Sequence, residues 1–289
     1  MNDPRPTRRA VLAAAAGLAV ANAPAADTEL QSLERREALQ IGVFAQRLGG
    51  RTIWSHRADQ RFLMCSTFKI FLVAAVLREA DRVPGLLARD VPLVPAKLLA
   101  NSPVTGRQPL PASLSVEQLC AAAIEYSDNS AANCLLDIVG GPPSVTRMFR
   151  LLGDPVSRLD RIEPDLNTGA VGDTRDTTTP RAIAGALSRL IEGSVLGEAA
   201  RRRLLGWMAN EHNGVRRIRA GMPAGWQVAD KPGTNNSGSV NDIAILQSPS
   251  GQRFLLAIYV RSPVADVARL ERIIAGLAAS FAQRAIPLA

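Results

Sequence analysis

Apolar positions along this chain follow two different periods, and each period marks its own region. Segments 41–48 and 51–56 have the pattern of strands around Gly49-Gly50, which predicts a β-hairpin. The strand pattern returns at 243–247 and 254–260. Elsewhere, apolar residues recur at the three- to four-residue spacing of a helix. The predicted helices are 28–38, 67–78, 116–126, 131–139, 180–191 and 267–281.

Strands near both ends of the chain therefore enclose a helical middle. The economical arrangement is one antiparallel sheet of about five strands, built from both chain ends, flanked by helices and carrying an inserted all-α lobe. We therefore expect an α+β fold. The expected divisions are 1–26 for a leader, 27–62 and 213–289 for the two parts of the α/β lobe, and 63–212 for the all-α lobe.

The N-terminus has the composition of an export signal. Arg8-Arg9 precede the apolar run 11–20, and small residues at 21–25 follow with the small-x-small spacing of a cleavage site. The paired arginines indicate twin-arginine export, which carries proteins that are already folded. The alternative, a short buried helix, is disfavoured by these flanking residues. We expect residues 1–26 to be removed and the product to be periplasmic or secreted.

Charge and composition narrow the function further. The net charge is +8, of which the first 26 residues contribute about +2, and aromatic residues make up 4% of the chain. Scattered charge with few stacking side chains predicts no nucleic-acid partner. Of the 34 basic residues, the lysines are Lys69, Lys97 and Lys231. Because arginine keeps its proton in proteins whereas a buried lysine can lose it, these lysines are the first candidates for chemistry.

Ser66 and Lys69 form a Ser-x-x-Lys pair at the start of the first long predicted helix. The spacing puts the hydroxyl and the ammonium on one helix face, and the helix N-terminus favours developing negative charge. A serine beside an amine is one recognised form of an activated nucleophile. Taken alone, the pair is equally typical of an ordinary helix start with a solvated lysine.

Three further polar segments have ordinary explanations when each is taken alone. Ser127-Asp128-Asn129 separates two predicted helices, as a capping turn would. Lys231-Pro232-Gly233-Thr234 is typical of a turn before a strand, where glycine also permits close backbone approach by a ligand. Segment 154–176 is long, rich in Pro, Asp and Asn, and without periodicity. Loops of that length in compact domains are usually functional.

The Ser-x-x-Lys pair, the Ser-Asp-Asn turn and the Lys-x-Gly segment occur in this order along the chain. Together they resemble the motifs of the serine β-lactamases and penicillin-binding proteins. Two of the three lysines lie at motif positions, and Glu163 and Asn167 resemble the Glu-x-x-x-Asn element of class A β-lactamases. The resemblance covers nearly the whole chain after the leader. Further similar stretches are 102–105, 140–142, 158–161, 175–178 and 223–226.

The resemblance implies roles for the residues that react. Ser66 attacks the lactam carbonyl and becomes acylated. Lys69 hydrogen-bonds Ser66 and is one candidate for taking its proton. Glu163, through a water that Asn167 also holds, is the rival acylation base and the expected deacylation base. Ser127 passes a proton to the lactam nitrogen.

The resemblance also implies residues that bind and support. Backbone amides of Ser66 and Thr234 form the oxyanion hole. Asn129 binds the side-chain amide of the substrate, and Lys231 lies near its leaving nitrogen. Gly233 belongs to the same substrate-binding segment. The ion pair expected to pin the ends of the catalytic loop joins Arg161 and Asp176.

Departures from the family pattern occur beside the nucleophile and in the carboxylate pocket. Pro232 replaces the usual Thr or Ser, so we expect Thr234 and Arg217 to bind the substrate carboxylate. Asn101 stands where many relatives have an aromatic residue. Cys65 adjoins Ser66 as in the class A carbapenemases, but Asn235 occupies the position of its disulfide partner. Strong carbapenem hydrolysis is therefore not implied.

Cysteine and histidine usage indicates neither a required disulfide nor a metal site. The three cysteines Cys65, Cys120 and Cys134 are an odd number, so at least one thiol is free or pairs between chains. A bridge between Cys120 and Cys134 is possible on the predicted helices but unsupported. No Cys/His cluster has zinc-ligand spacing, and we expect neither metal nor cofactor.

The resulting expectation is a class A β-lactamase that hydrolyses penicillins or cephalosporins through a serine acyl-enzyme and confers resistance. A small-molecule β-lactam and a hydrolytic water are the expected partners, with a monomeric enzyme and no stable membrane partner. The alternatives are a D-alanyl-D-alanine carboxypeptidase-like penicillin-binding protein and a β-lactam sensor that stays acylated. Glu163 and Asn167 disfavour the first, and no anchor or partner domain for the second is evident.

Overall fold

The elements of the fold follow the predicted order of strands, helices and strands. The structure, a computed structural model, describes residues 23–170, 172–264 and 266–286, so most of the predicted signal, 1–22, lies outside the described residues. The helices are α1 (Ala23–Glu37), α2 (Lys69–Ala80), α3 (Val116–Glu125), α4 (Asn129–Val139), α5 (Pro142–Leu151), α6 (Pro180–Glu192), α7 (Glu198–Ala209), α8 (Ile218–Gly221) and α9 (Val267–Ala285). The strands are β1 (Gln40–Arg47), β2 (Thr52–His56), β3 (Phe62–Leu63), β4 (Asp90–Pro92), β5 (Ser113–Ser115), β6 (Thr177–Thr178), β7 (Gln227–Thr234), β8 (Ser239–Gln247) and β9 (Arg253–Arg261).

A five-stranded antiparallel sheet joins the two ends of the chain, as predicted. Its order is β2-β1-β9-β8-β7. The central pairing sets β1 against β9, with Val43 opposite Ile258, although these residues are far apart in sequence. The α+β fold, with the sheet drawn from both chain ends, is therefore confirmed.

Edge strand β7 was missed by the sequence pattern, which placed the Lys231-Pro232-Gly233-Thr234 segment in a turn before a strand. These four residues are instead the last four of β7, where Pro232 pairs with Asp242 of β8. Proline lacks the N–H that a central strand needs, and an edge strand tolerates it. Buried charges at Asp230 and Lys231 removed the alternating pattern by which strands are recognised.

Both faces of the sheet are buried, and β9 shows how its residues divide between them. Leu255 and Tyr259 belong to the large core shared with the helical lobe, and Leu256 and Ile258 to a second core. Helix α9 covers that second face with residues such as Phe281. The two-residue alternation of side chains across a strand accounts for this division.

Short ladders also form in segment 63–212, so the lobe predicted to be all-α is mainly helical but contains β4, β5 and β6. Strand β3 pairs with β6, and β4 pairs with β5. The first ladder joins the segment before Ser66 to the end of the 154–176 loop, with Leu63 opposite Thr177. The Met64 amide continues this junction by donating to the Asp176 carbonyl oxygen. Ser66 and the 154–176 loop therefore share one anchoring point.

Candidate active site

A cavity of about 940 Å³ opens where the turn before α2, the 154–176 loop and the end of β7 come together. Lys69, Glu163 and Lys231 lie buried beside it. The predicted residues that line it are Ser66, Ser127, Asn129, Asn167, Arg217 and Thr234.

Ser66 lies in one 3-10 turn, Cys65–Phe68, that runs directly into α2. Cys65 has a φ of 46°, a left-handed conformation that residues with a side chain rarely adopt. Strand β7 passes close by: a Cβ at Gly233 would lie 2.9 Å from the Met64 carbonyl oxygen and 3.2 Å from the Ser66 amide nitrogen. Glycine at 233 therefore lets β7 pack against the backbone of the candidate nucleophile.

Lys69 is fully buried, and its ammonium points toward three polar residues. Nζ donates to the Ser127 carbonyl oxygen at 2.8 Å and to Asn129 Oδ1 at 2.7 Å, and lies 3.2 Å from Glu163 Oε1. No hydrogen bond joins Lys69 Nζ to the Ser66 hydroxyl in the described residues, so the bond expected from the resemblance is absent, and the ammonium donates to Ser127 and Asn129 instead. Burial lowers the pKa of Lys69, and Glu163 opposes that effect.

Ser127 is held in a left-handed conformation, with a φ of 56°. Its hydroxyl accepts from Lys69 Nζ at 3.4 Å. The next residue, Asp128, caps α4 by accepting from the Ala131 amide, as a capping turn predicts. The Asp128 carboxylate also accepts from the amide and hydroxyl of Thr105. This buried carboxylate therefore fixes both the Ser127 backbone and the facing wall of the cavity.

Glu163 is positioned by a side chain that the sequence analysis did not select. Asn133 of α4 donates from Nδ2 to the Glu163 carbonyl oxygen at 2.9 Å and accepts from the Glu163 amide at 3.0 Å. Asn133 lies four residues after Asn129, hence on the same helix face. That spacing from a motif residue was the available sequence signal.

The carboxylate of Glu163 and the amide of Asn167 are joined directly. Asn167 Nδ2 donates to Glu163 Oε2 at 2.6 Å. The remaining oxygens, Glu163 Oε1 and Asn167 Oδ1, are buried without a hydrogen-bond partner in the described part of the chain. Glu163 Oε1 also forms the ion pair with Lys69 Nζ, at 3.2 Å. Buried acceptors on two side chains that are hydrogen-bonded to each other suit a small donor such as water.

The predicted ion pair between Arg161 and Asp176 is present and holds together two parts of the 154–176 loop. Arg161 Nε donates to Asp176 Oδ2 at 2.6 Å, and Asp176 Oδ1 accepts from the amides of Asp160 and Arg161. Arg161 also donates to the carbonyl oxygen and hydroxyl of Thr168. One guanidinium thus links three points of the loop, which brings Glu163 and Asn167 between fixed ends.

Lys231 is fully buried in β7 beside several charged groups. Its Nζ lies 3.8 Å from Glu211 Oε1 and donates to the Pro232 carbonyl oxygen at 3.3 Å. Burial lowers the pKa of Lys231 to about 8, and the nearby carboxylate of Glu211 limits the fall. The ammonium therefore titrates near the upper end of the physiological range.

Arg217 occupies the place where the departure at Pro232 predicted a guanidinium. Its Nη2 donates to Thr234 Oγ1 at 2.6 Å, and the side chain is only 4% exposed while still lining the cavity. The neighbouring arginines are placed differently: Arg216 is 78% exposed, and Arg219 pairs with buried Asp230. The register predicted within this arginine cluster is therefore the one that reaches Thr234.

Two buried carboxylates beneath the cations were also missed by sequence reasoning. Glu271 of α9 lies 3.3 Å from Arg217 Nε, and Glu211 lies beside Lys231. Glu271 had a signal, because it follows Leu270 and precedes Ile273 and Ile274 on the apolar stripe of an amphipathic helix. Glu211 lies outside any periodic segment and had none.

All three cysteines are free, so the possible Cys120–Cys134 bridge is absent. Burial raises the pKa of the Cys65 thiol to about 12, which keeps it protonated and unreactive at neutral pH. Asn235, at the position of the missing disulfide partner, instead donates from Nδ2 to the Asn167 carbonyl oxygen at 2.8 Å.

Across residues 23–170, 172–264 and 266–286, no cluster of three or more His, Cys, Asp or Glu side chains could hold a metal ion. No helix in these ranges has the length and apolar character needed to cross a membrane.

Comparisons with known proteins agree with this geometry. Residues 25–284 match the model of the β-lactamase enzyme family. The chain is 46% identical over 247 residues to β-lactamase L2 of Stenotrophomonas maltophilia, covering 83% of this chain and 81% of that protein. It is 37% identical to β-lactamase OXY-1 of Klebsiella oxytoca, covering 91% of this chain and 90% of that protein.

Solved structures of β-lactamases also align with this fold. The crystal structure of L2 complexed with relebactam aligns with a TM-score of 0.85 at 41% identity, covering 90% of this chain and 97% of that one. The structure of the last common ancestor of Gram-negative bacteria class A β-lactamase aligns with a TM-score of 0.86 at 42% identity, covering 90% and 98%. Sequence, fold and assembled motifs lead to one conclusion: the chain belongs to the β-lactamase family, as a class A serine enzyme.

Proposed function

We propose that this chain hydrolyses β-lactam rings in two steps, acylation of Ser66 and release of the acyl group by water. For acylation, the Ser66 hydroxyl attacks the lactam carbonyl and loses its proton to the Lys69–Glu163 pair. The charged atoms of that pair lie 3.2 Å apart, so the pair can accept one proton as a unit. The backbone amides of Ser66 and Thr234 stabilise the oxyanion. The proton taken from Ser66 passes from Lys69 to the Ser127 hydroxyl, 3.4 Å from Nζ, as Ser127 gives its own proton to the departing nitrogen, which returns the Lys69–Glu163 pair to its starting state.

Glu163 acts as general base for release of the acyl group. Its Oε1, which is in ion-pair contact with Lys69, and the Asn167 Oδ1 are buried acceptors without a hydrogen-bond partner in the described residues, and both suit a water that Glu163 deprotonates. This pair of oxygens is the observation that carries the proposal. It favours hydrolysis over a carboxypeptidase-like protein or a sensor that stays acylated, since both alternatives release the acyl group slowly.

Substrate binding uses one donor set on β7 and another on α4. Lys231, Thr234 and Arg217 provide the charge and hydroxyl that meet the acidic group of the substrate, in place of the hydroxyl that Pro232 lacks. Gly233 keeps β7 close to the Ser66 turn. Asn129, which already accepts from Lys69, binds the side-chain amide of the substrate.

We also infer that the enzyme is exported. Residues 1–26 direct twin-arginine export and are then removed, giving a monomeric periplasmic or secreted enzyme. Residues 27–62 and 213–289 form the α/β lobe, 63–212 form the helical lobe, and the site lies between them. Support comes from the composition of the leader and from the position of the cavity beside β7.

Intact mass spectrometry during turnover of a chromogenic cephalosporin tests the two-step assignment. Ser66→Ala should form no acyl-enzyme, whereas Glu163→Gln should acylate more slowly and then retain the adduct. The matched control is Glu198→Gln on α7, whose side chain is 77% exposed and should leave turnover unchanged. Steady turnover by Ser66→Ala would remove the nucleophile assignment, and rapid turnover by Glu163→Gln would remove the base.

A further inference from the structure

The turn between β7 and β8 carries a buried amide that bridges to the catalytic loop. Asn235 is 6% exposed, and its Oδ1 accepts from the amides of Ser237 and Ser239 at 3.0 and 2.8 Å. Its Nδ2 donates in the opposite direction, to the Asn167 carbonyl oxygen at 2.8 Å. One side chain therefore closes the turn with its oxygen and holds the loop with its nitrogen.

The backbone that Asn235 holds belongs to the residue that orients Glu163. The Asn167 side-chain nitrogen donates to Glu163 Oε2 at 2.6 Å, and its Oδ1 is buried without a hydrogen-bond partner in the described residues, as is Glu163 Oε1. The loop is also fixed at Glu163 by Asn133 and at Thr168 by Arg161. Those contacts lie on either side of Asn167, and the bond from Asn235 supports Asn167 itself.

We infer that Asn235 is a positioning residue for the deacylation step, acting through Asn167 on the hydrolytic water. The inference rests on the proposed roles of Glu163 and Asn167. Acylation uses Ser66, the contact of Lys69 with Glu163 Oε1 and the oxyanion donors, none of which bonds to the Asn235 side chain in the described residues. Water-dependent release needs the Glu163–Asn167 pair to keep its geometry. Loss of the bridge therefore slows release of the acyl group more than its formation.

Two substitutions separate the bridge from the turn. Asn235→Asp keeps an oxygen that accepts from the Ser237 and Ser239 amides but places a carboxylate oxygen against the Asn167 carbonyl. Asn235→Leu has a similar size and removes both functions. A purely structural role predicts a near-normal Asp variant and an impaired Leu variant. The positioning role predicts a specific deacylation defect in the Asp variant, because the donor to the loop is lost while the acceptor for the turn amides is kept.

The experiment is single-turnover and steady-state kinetics on the full chain with a chromogenic cephalosporin. For Asn235→Asp we expect kcat and KM to fall together by about tenfold, with kcat/KM unchanged and acyl-enzyme accumulating in intact mass spectra. Thermal unfolding should be close to that of the parent enzyme. Asn210→Asp, an exposed site with the same charge change, is the matched control and should behave as the parent.

The remaining outcomes contradict either this inference or the proposed function. If Asn235→Asp lowers kcat/KM without accumulation of acyl-enzyme, or changes nothing, the positioning role is wrong. If Asn235→Asp unfolds, the acyl-enzyme fraction of Asn235→Leu provides the test. Equal losses in the rates of acylation and deacylation would contradict the inference. Glu163→Gln distinguishes failure of the proposed function from failure of this inference. If Glu163→Gln retains no adduct, the proposed function is wrong. If Glu163→Gln retains the adduct and Asn235→Asp is unaffected, only this inference is wrong.

Discussion

Replacing Arg217 by alanine should damage both the stability and the activity of this enzyme, for separable reasons. The guanidinium Nη1 donates to the Gly233 and Asn241 carbonyl oxygens at 3.0 and 2.8 Å. Its Nη2 donates to Thr234 Oγ1, and Nε lies 3.3 Å from Glu271 Oε1. Truncation removes these four contacts and leaves the Glu271 carboxylate buried.

The expected losses of stability and activity follow from the burial and the charge of Arg217. Removing one partner of a buried ion pair costs about 3–5 kcal/mol, because the other charge stays buried. Exposed Arg216 also contacts Glu271, at 3.1 Å, so we expect the lower end, about 3 kcal/mol of unfolding free energy. Loss of a charged hydrogen bond to the substrate carboxylate costs about 1.5–3 kcal/mol, which lowers kcat/KM roughly ten- to a hundredfold.

A double-variant cycle with Glu271→Gln separates the two effects. Glu271 pairs with Arg217 beneath the cavity and does not line it. The double variant should therefore regain much of the unfolding free energy lost in Arg217→Ala, because no unpaired carboxylate remains buried. It should not regain kcat/KM toward a chromogenic cephalosporin. Urea unfolding and initial rates on the same four proteins give both quantities.

Recovery of activity along with stability in the double variant would show that Arg217 acts only as structural support. A neutral Arg217→Ala combined with a damaging Arg216→Ala would place substrate recognition on the exposed neighbour instead. Neutrality of both would contradict recognition by this arginine cluster. Pro232→Thr should match or exceed the parent enzyme, provided that β7 tolerates the added backbone N–H.

Three further predictions concern the lysines and the thiols. Lys69→Arg should reduce the acylation rate by orders of magnitude in a stopped-flow assay, because a planar guanidinium that keeps its proton replaces a buried amine. Lys97 is exposed and paired with exposed Asp137, so Lys97→Arg should be nearly silent in the same assay. Because the ammonium of Lys231 is lost as pH rises through its pKa of about 8, kcat/KM for acidic β-lactams should fall above pH 8, and in Lys231→Arg the pH profile should lose this step. Mild reductant should leave activity unchanged, and thiol titration of denatured, unreduced protein should find free cysteine; inactivation by reductant would contradict the absence of a disulfide.

The elements predicted from sequence are those in which burial and local pattern agree. Helix α9 has an apolar stripe that faces the second core, and the hairpin of β1 and β2 has glycines at its turn. The Ser127–Asn129 segment was predicted as a capping turn because Asp is a strong N-cap residue, and Asp128 takes that role. In each case the signal lies within a few neighbouring residues.

The parts that escaped prediction depend on residues far apart in the chain. Strand β7 has no alternating pattern because Asp230 and Lys231 are both buried, and their charge compensation comes from Arg219 and Glu211. A local pattern cannot show that such partners exist. The bridge from Asn235 to Asn167 is equally hidden, since only the fold brings the two segments into contact.

Charge compensation also determines which experiments are informative. A cation beside the cavity is tolerated in the core because a carboxylate from another segment lies against it. Truncating either member therefore leaves an opposite charge buried, so an alanine variant mixes loss of chemistry with loss of stability. Exchanges that keep charge and double variants that remove it in pairs separate the two. The pairs to which this reasoning applies are Lys69–Glu163, Lys231–Glu211, Arg217–Glu271 and Arg219–Asp230.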